Sequence, residues 1–167
     1  MRAELRDTGD LKAVVRALRG LADGKELRKE LTQGMRGVLR PLVPRVKAAY
    51  LAGPSKGRRR RRQGPDLRTL LARSVRLEVR TAGKLAGARI RVDGRRMPPG
   101  MGALPRHWEG PAEGGRWRHP VFGNREVWVG QESHPTFYRT IRPDEAQARR
   151  EIEQVVDRIF AKIERAR

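Results

Sequence analysis

The sequence predicts an α+β fold, in which a long, kinked N-terminal helix and a C-terminal helix pack on a small antiparallel β-sheet. Two kinds of hydrophobic pattern carry this prediction. Both ends of the chain repeat apolar residues every three or four positions, as amphipathic helices do. The middle alternates apolar with charged residues, as half-buried strands do. Because helices flank a run of strands, we expect a layer of helices against a sheet, in a single domain over residues 1–167.

Two helical patterns occupy the first fifty residues. Asp10 can cap a helix that begins near Leu11, because its carboxylate can accept hydrogen bonds from the first-turn backbone N–H groups. Asp23-Gly24 ends this pattern and a second one follows. We expect the second helix to kink near Pro41 or Pro44, because proline removes a backbone donor and clashes with the preceding turn. The apolar positions are Leu11, Val14, Val15, Leu18 and Ala22 in the first helix, and Leu27, Leu31, Val38, Leu39, Leu42 and Val46 in the second.

The strand patterns follow in the middle of the chain. Residues 74–81 and 86–93 alternate apolar with charged side chains, and the Gly-containing connection between them predicts a hairpin. One or two further short strands are expected around Gly123-Asn124. Residues 67–74, which precede the first strand, fit either a short helical turn or a lead-in to that strand.

Two segments rich in Gly and Pro, residues 52–66 and 94–116, are predicted loops. The last helix is predicted to begin at Pro143, because proline is favoured in the first turn of a helix. We expect the apolar stripe of this helix to pack on the sheet. The stripe consists of Ile152, Val155, Val156, Ile159, Phe160 and Ile163.

The composition is strongly basic and contains no cysteine. The formal net charge is +20, with 37% hydrophobic and 35% charged residues. Residues 143–167 carry six basic and six acidic side chains, so the positive excess lies before the last helix. Without cysteine the chain can form neither disulfides nor cysteine-ligated metal sites. Because no apolar run approaches the roughly 20 residues of a bilayer span, we expect a soluble protein made in a cytoplasm, without membrane contact.

Five adjacent arginines stand in the first predicted loop, and three interpretations of them remain open. Like charges in such a run repel each other and stay solvated unless an anion compensates them. The run is therefore a flexible solvated segment, a segment that binds DNA phosphates, or a contact with an acidic partner. Its members are Arg58, Arg59, Arg60, Arg61 and Arg62.

The arginines of the predicted strands alternate with apolar residues. They form either the ordinary polar face of a sheet or a basic stripe that attracts phosphates without reading bases. A diffuse attraction of this kind would let DNA slide past the sheet. The residues concerned are Arg76, Arg80, Arg89 and Arg91.

Aromatic residues and His-Pro pairs cluster between positions 117 and 137, in a chain with only 5% aromatic residues. Aromatic side chains bury large areas, so they form either the core of the domain or contacts between subunits. Pro120 and Pro135 deny backbone donors, which favours a position at a sheet edge. The core or assembly candidates are Trp117, His119, Pro120, Phe122, Trp128 and Phe137.

The sequence offers no motif for catalysis. His107, His119 and His134 are spaced by 12 and 15 residues, whereas structural zinc sites use tighter pairs. No nucleophile motif or phosphate-binding loop occurs, and we assign Glu109 and Glu113 to salt bridges in a loop. We therefore expect no catalytic residue, no metal ligand and no cofactor, and a protein that is not an enzyme.

A succession of short motifs in the C-terminal half resembles a known family. Residues 104–110 read Leu-Pro-Arg-His-Trp-Glu-Gly and residues 118–123 read Arg-His-Pro-Val-Phe-Gly, and Trp128, Gln131 and Phe137 follow ahead of the last helix. This order is similar to that of the tail-completion, or head–tail-joining, proteins of long-tailed bacteriophages.

The N-terminal half of the chain resembles the actinobacterial-phage branch of that family, through residues 27–44 and the loop with Pro54 that contains the arginine run. The resemblance spans roughly the whole chain. The length and arginine density of residues 56–62 depart from the family pattern, so no role for that run is inherited.

The resemblance implies an α+β fold and a structural role in the virion, without cofactor or catalytic residues. Copies of the chain would form a ring, expected to be hexameric, at the phage neck or at the top of the tail tube. The ring would contact neighbouring neck and tail-tube proteins, and genomic DNA would touch it transiently in passing through. The arginines of the first loop and of the strands then become candidates to line the DNA channel. The alternative is a small basic protein that binds nucleic acid without sequence specificity.

Overall fold

The computed structural model describes residues 2–5, 10–21, 24–54, 65–81, 86–111, 114–121 and 124–165. The fold is α+β, as predicted, with a long helix on the N-terminal side, a C-terminal helix and two small antiparallel sheets. The chain divides into two compact units. The helical unit comprises Arg2–Pro44, Arg76–Arg91 and Arg142–Arg167, and the hairpin unit comprises Arg45–Val75 and Val92–Ile141.

The N-terminal helices of the helical unit follow their predicted apolar stripes. Helix α1 spans Asp10–Ala17 and is continued by a 3-10 turn over Leu18–Gly20, and helix α2 spans Gly24–Leu39. In the first stripe Leu11, Val14, Val15 and Leu18 are buried, whereas Ala22 lies outside the described residues. In α2 the predicted Leu27, Leu31 and Leu39 are buried, and so is Met35.

The predicted kink is a break between two helices. Helix α2 ends at Leu39, and helix α3 spans Leu42–Ala52, with Arg40 and Pro41 in the turn between them. Pro44 lies in the first turn of α3, where a backbone N–H has no partner within the helix, so proline is tolerated there.

Helix α7, which spans Glu145–Arg165, packs against α2. Gly34 faces α7, and an added Cβ on it would lie 2.6 Å from Val155 Cγ1. The predicted stripe of α7 is buried except for Phe160, which is 42% exposed, so its inclusion in the stripe was wrong. Residues Arg142–Asp144 form a 3-10 turn. Pro143 therefore precedes the α-helix rather than beginning it.

A three-stranded antiparallel sheet has the strand order β1-β3-β2. Strands β2, over Val75–Arg80, and β3, over Gly87–Val92, were both predicted. Strand β1, over Arg2–Leu5, was not predicted, and it pairs antiparallel with β3 so that Ala3 lies opposite Ile90.

The predicted loop at 94–116 contains regular structure. A 3-10 turn spans Gly94–Arg96, and helix α5 spans Leu104–Glu109. Pro105 stands in the first turn of α5, where proline does not interrupt the helix. The Gly and Pro content of the segment therefore marks the boundaries of a short helix rather than a continuous loop.

The ambiguous segment before β2 is helix α4, over Leu67–Ser74. The carboxylate of Asp66 accepts a 2.9 Å hydrogen bond from the backbone N of Thr69 and so caps this helix. The hydrogen bonds from Thr69 and Arg68 lower the pKa of Asp66 to about 2. The hairpin unit continues with strands β4, Arg116–Val121, and β5, Asn124–Glu132, and with helix α6, Thr136–Ile141.

Candidate assembly interface

Strands β4 and β5 form a two-stranded antiparallel sheet, the β4–β5 hairpin. In its register Trp117 lies opposite Gln131 and Pro120 lies opposite Trp128, and the pairing shifts between Pro120 and Val121. Pro120 removes one backbone donor from β4, whereas β5 contains no proline. The hairpin turn at Phe122 and Gly123 lies outside the described residues.

Strand β5 of this hairpin is exposed along its length, apart from Arg125, whose side chain is not described. At its centre Val127 and Trp128 are each 50% exposed, and Val129 is 40% exposed. Because successive side chains of a strand point to opposite faces, Trp128 lies on one face and the two valines lie on the other. Large apolar side chains are therefore exposed on both faces of the hairpin.

The base of the hairpin, in contrast, is held by several contacts. The backbone N of Ser133 donates to the carbonyl of Gly115 at 2.8 Å, and the backbone N of His134 donates to the carbonyl of Trp108 at 2.5 Å. Trp108 Nε1 donates to Thr136 Oγ1 at 3.0 Å. The Ser133–Gly115 bond closes the hairpin where β4 begins and β5 ends. The Trp108–Thr136 bond joins α5, which precedes the hairpin, to α6, which follows it.

Stacked rings add to the fixed base. The rings of His107 and Trp117 stack with centroids 4.4 Å apart, and the ring of His134 lies 5.1 Å from that of Trp108. In the part of the chain that the structure describes, no group of three or more His, Asp or Glu residues is placed to hold a metal ion.

A buried carboxylate completes this base. Glu109 is fully buried and accepts a 2.6 Å hydrogen bond from the hydroxyl of Tyr50. Its two oxygens also accept from the backbone N of Phe137, at 2.9 and 3.0 Å. Glu109 therefore connects α3, α5 and α6, and its assignment to a salt bridge in a loop was wrong. Glu113 lies outside the described residues.

Burial governs the ionisation of both partners in this contact. Burial raises the pKa of Glu109, and the hydrogen bonds from Tyr50 and the Phe137 backbone oppose that rise. Burial and the neighbouring Glu109 carboxylate also raise the pKa of Tyr50, so its hydroxyl keeps its proton and acts as the donor.

The predicted core or assembly candidates occupy three environments. Phe137 is fully buried in the core of the hairpin unit, and Trp117 and Pro120 are half-buried. Trp128 is exposed, which fits an assembly contact and not a core position. Phe122 and the side chain of His119 lie outside the described part of the structure.

Three arginines of the three-stranded sheet lie around the carboxylate of Glu78, namely Arg80, Arg89 and Arg91. Arg89 is only 7% exposed and contacts Glu78 Oε2 through Nε at 2.8 Å and a terminal guanidinium nitrogen at 2.7 Å. Arg80 Nε donates to Glu78 Oε1 at 2.6 Å, and Arg91 Nε lies 3.3 Å from Glu78 Oε2. Burial disfavours the ionised form of Glu78, but the hydrogen bonds from Arg89 and Arg80 outweigh it and lower its pKa.

The contacts with Glu78 reduce the number of predicted stripe arginines whose charge faces solvent. Arg89 is buried and bound to Glu78, so its charge does not face solvent, which argues against Arg89 as a member of the basic stripe. Arg76 and Arg91 are half-buried, and Arg80 is the exposed one of the four.

The arginine run Arg58–Arg62 lies outside the described residues, but both of its flanks are described. A terminal guanidinium nitrogen of Arg68 donates to the carbonyl of Gly53 at 3.2 Å, and another donates to the Asp66 carboxylate at 2.9 Å. Arg68 thereby holds the end of α3 close to the start of α4.

No protein-family model, curated protein or solved structure matches this chain. Within the described ranges, no helix is both long enough and apolar enough to cross a bilayer.

Proposed function

We propose that the chain is a structural subunit of a larger assembly, and that its β4–β5 hairpin is the arm that contacts a neighbouring subunit. The observation that carries this proposal is the exposure of Val127, Trp128 and Val129 on both faces of a hairpin whose base is fixed. An isolated two-stranded hairpin is marginally stable in water. Tryptophan is also among the residues that contribute most to binding energy at interfaces. A neighbour that covers the hairpin would stabilise it and remove this apolar surface from water.

The identity of the assembly is drawn from the family resemblance. We propose a ring of identical subunits, hexameric to match a six-fold tail, at the phage head–tail interface or at the top of the tail tube. The ring joins or terminates the tail, contacts the adjacent neck and tail-tube proteins, and surrounds the path of the DNA. This role involves no catalytic turnover, and the protein resides in the virion after synthesis in the bacterial cytoplasm.

The test compares the assembly state of the protein with that of a hairpin variant. Mass measurement and negative-stain imaging of purified protein, at low and high salt, should reveal rings that persist in high salt. Trp128→Ser should dissociate them, because it removes an exposed aromatic side chain from the proposed contact. Phe160→Ser is the matched control, since it removes another exposed aromatic side chain from α7 and should leave the rings intact.

Two outcomes would count against this proposal. If both substitutions dissociate the rings equally, the hairpin is not the specific contact. If the protein is a monomer at every salt concentration and binds nucleic acid tightly, the alternative of a small, non-specific nucleic-acid-binding protein is favoured.

A further inference from the structure

One side of helix α2 presents a line of basic side chains, here named the α2 stripe. Its cations are Lys25, Lys29, Arg36 and Arg40, with Gln33 among them, and all five residues are exposed. At 3.6 residues per turn, these positions fall within about 80° of one another around the helix axis. Arg40 lies one residue beyond the end of α2, but its backbone N donates to the Arg36 carbonyl at 2.8 Å and continues the helical hydrogen bonding. The stripe is therefore about 22 Å long.

The packing of α2 fixes the direction of this stripe. Leu27, Leu31 and Met35 lie on the opposite side of the helix and are buried, and Gly34 contacts Val155 of α7. Rotation of α2 about its axis would expose that apolar side, so the basic side is held toward solvent.

The acidic residues near the stripe do not neutralise its positive charge. Among the described residues, no ion pair involves Lys25, Lys29, Arg36 or Arg40. Two glutamates of α2 lie beside the stripe. Glu26, in the first turn, is exposed about 20° from its edge and offsets one of the four cations. Glu30 lies farther round the helix, and its carboxylate is already bound by Lys162 at 2.6 and 2.7 Å. The cations of the α2 stripe therefore differ from the sheet arginines, among which the buried Arg89 forms a salt bridge with Glu78.

We propose that the α2 stripe binds the sugar-phosphate backbone of duplex DNA without reading its bases. A line of cations matches a linear polyanion, and both Lys and Arg bind phosphate oxygens. The stripe contains no apolar side chain. Membrane-bound helices and the cores of protein interfaces both require apolar side chains, so a lipid surface and an acidic protein fit less well.

This inference rests on the proposed function only in its choice of DNA as the polyanion, because the stripe lies on α2 and not on the hairpin. Its test is therefore separate from that of the ring. The variant Lys25→Gln, Lys29→Gln, Arg36→Gln and Arg40→Gln keeps strong helix formers at every position, so α2 should remain folded. Circular dichroism and the mass of the particle would verify folding and assembly before DNA binding is measured.

The binding experiment uses a short fluorescent DNA duplex of arbitrary sequence, titrated with the full chain over a series of salt concentrations. Each phosphate contact contributes about 0.9 to the slope of log affinity against log salt, so removal of four contacts should reduce the slope by about three to four. We expect the affinity at moderate salt to fall by about tenfold or more.

The matched control changes Arg149, Arg150, Arg158 and Arg165 of α7 to Gln, which removes the same charge from exposed helical positions. The control should lose much less affinity than the stripe variant. The charge-conserving variant Lys25→Arg with Lys29→Arg should bind as the wild type does.

Equal losses in the stripe and control variants would overturn the proposal, because net charge alone would explain them. So would unchanged DNA affinity in the folded stripe variant. Stripe-dependent binding to phosphatidylserine vesicles or polyglutamate, without binding to DNA, would assign the stripe to a different partner. A monomeric wild type with stripe-dependent DNA binding would overturn the ring while leaving this inference intact.

Discussion

The hydroxyl of Tyr50 donates a 2.6 Å hydrogen bond to Glu109, and both side chains are fully buried. The two residues are 59 positions apart in the sequence. Glu109 also accepts from the backbone N of Phe137, so a single carboxylate joins the helix before the β4–β5 hairpin to the helix after it. The stability of the hairpin base should therefore depend strongly on this contact.

Removal of the Tyr50 hydroxyl should destabilise the protein. In Tyr50→Phe the Glu109 carboxylate loses a donor while it stays buried, and we expect the free energy of unfolding to fall by about 1–3 kcal/mol. Urea unfolding would measure this change. A double-mutant cycle with Glu109→Leu, which removes the acceptor, should give a coupling of at least about 0.5 kcal/mol, and additive effects would contradict the contact.

Glu109 should also give the protein a distinctive pH dependence. Burial raises its pKa in the folded state above the ordinary value of 4.5, so the folded chain binds its proton more tightly than the unfolded chain does. The contribution of Glu109 to stability is then fully present below about pH 4.5 and is lost as the pH rises through the folded-state pKa. The wild type should lose stability relative to Glu109→Gln as the pH rises through this window. A relative gain would contradict the raised pKa.

Glu78 should stabilise the three-stranded sheet. Glu78→Gln removes the carboxylate that binds the buried Arg89 guanidinium at 2.7 Å, and we expect the free energy of unfolding to fall by about 1.5–3 kcal/mol. Arg80→Gln removes a half-exposed partner of the same carboxylate and should have an effect below about 1 kcal/mol. Chemical denaturation of both variants would measure the difference, and equal effects would argue against Arg89 as the dominant partner.

Replacement of two glycines of α2 by alanine should have opposite effects on stability. In Gly34→Ala the new Cβ would lie 2.6 Å from Val155 Cγ1, so α7 must shift, and we expect a loss of about 1–3 kcal/mol. Gly37 has nothing within 4 Å of an added Cβ. Gly37→Ala should therefore stabilise the helix by about 0.5–1 kcal/mol. Thermal unfolding of the pair would test the α2–α7 packing directly.

The sequence predicted the elements whose hydrophobic pattern extends over enough residues to be recognised. Helix α7 has a 21-residue pattern, and β2 and β3 each alternate over six residues. Strand β1 has only four residues and is defined by its pairing with β3, far along the chain. Helix α5 is six residues long and lies among glycines and prolines that indicate turns.

The candidate interface could be located from the sequence but not oriented. Val127, Trp128 and Val129 are consecutive apolar residues, so no alternation indicates which face of β5 is buried. The role of Glu109 could not be predicted from the sequence either, because its buried hydrogen bond is made with Tyr50, which lies 59 residues away. Arg89 resembled its neighbours in the alternating pattern, and the sequence did not indicate that Glu78 would lie beside it as a buried partner.

The proposed contact between the β4–β5 hairpin and a neighbouring subunit can be tested directly, because the chain contains no cysteine. A single cysteine introduced as Gln131→Cys on β5 would be labelled with a maleimide in the assembled and dissociated fractions, beside Arg150→Cys on α7 as the control. We expect assembly to slow labelling at position 131 by about tenfold or more, because that side chain becomes buried at an interface, and to leave position 150 unchanged. Equal labelling rates at position 131 in the two fractions, or no assembled fraction at all, would contradict the claim.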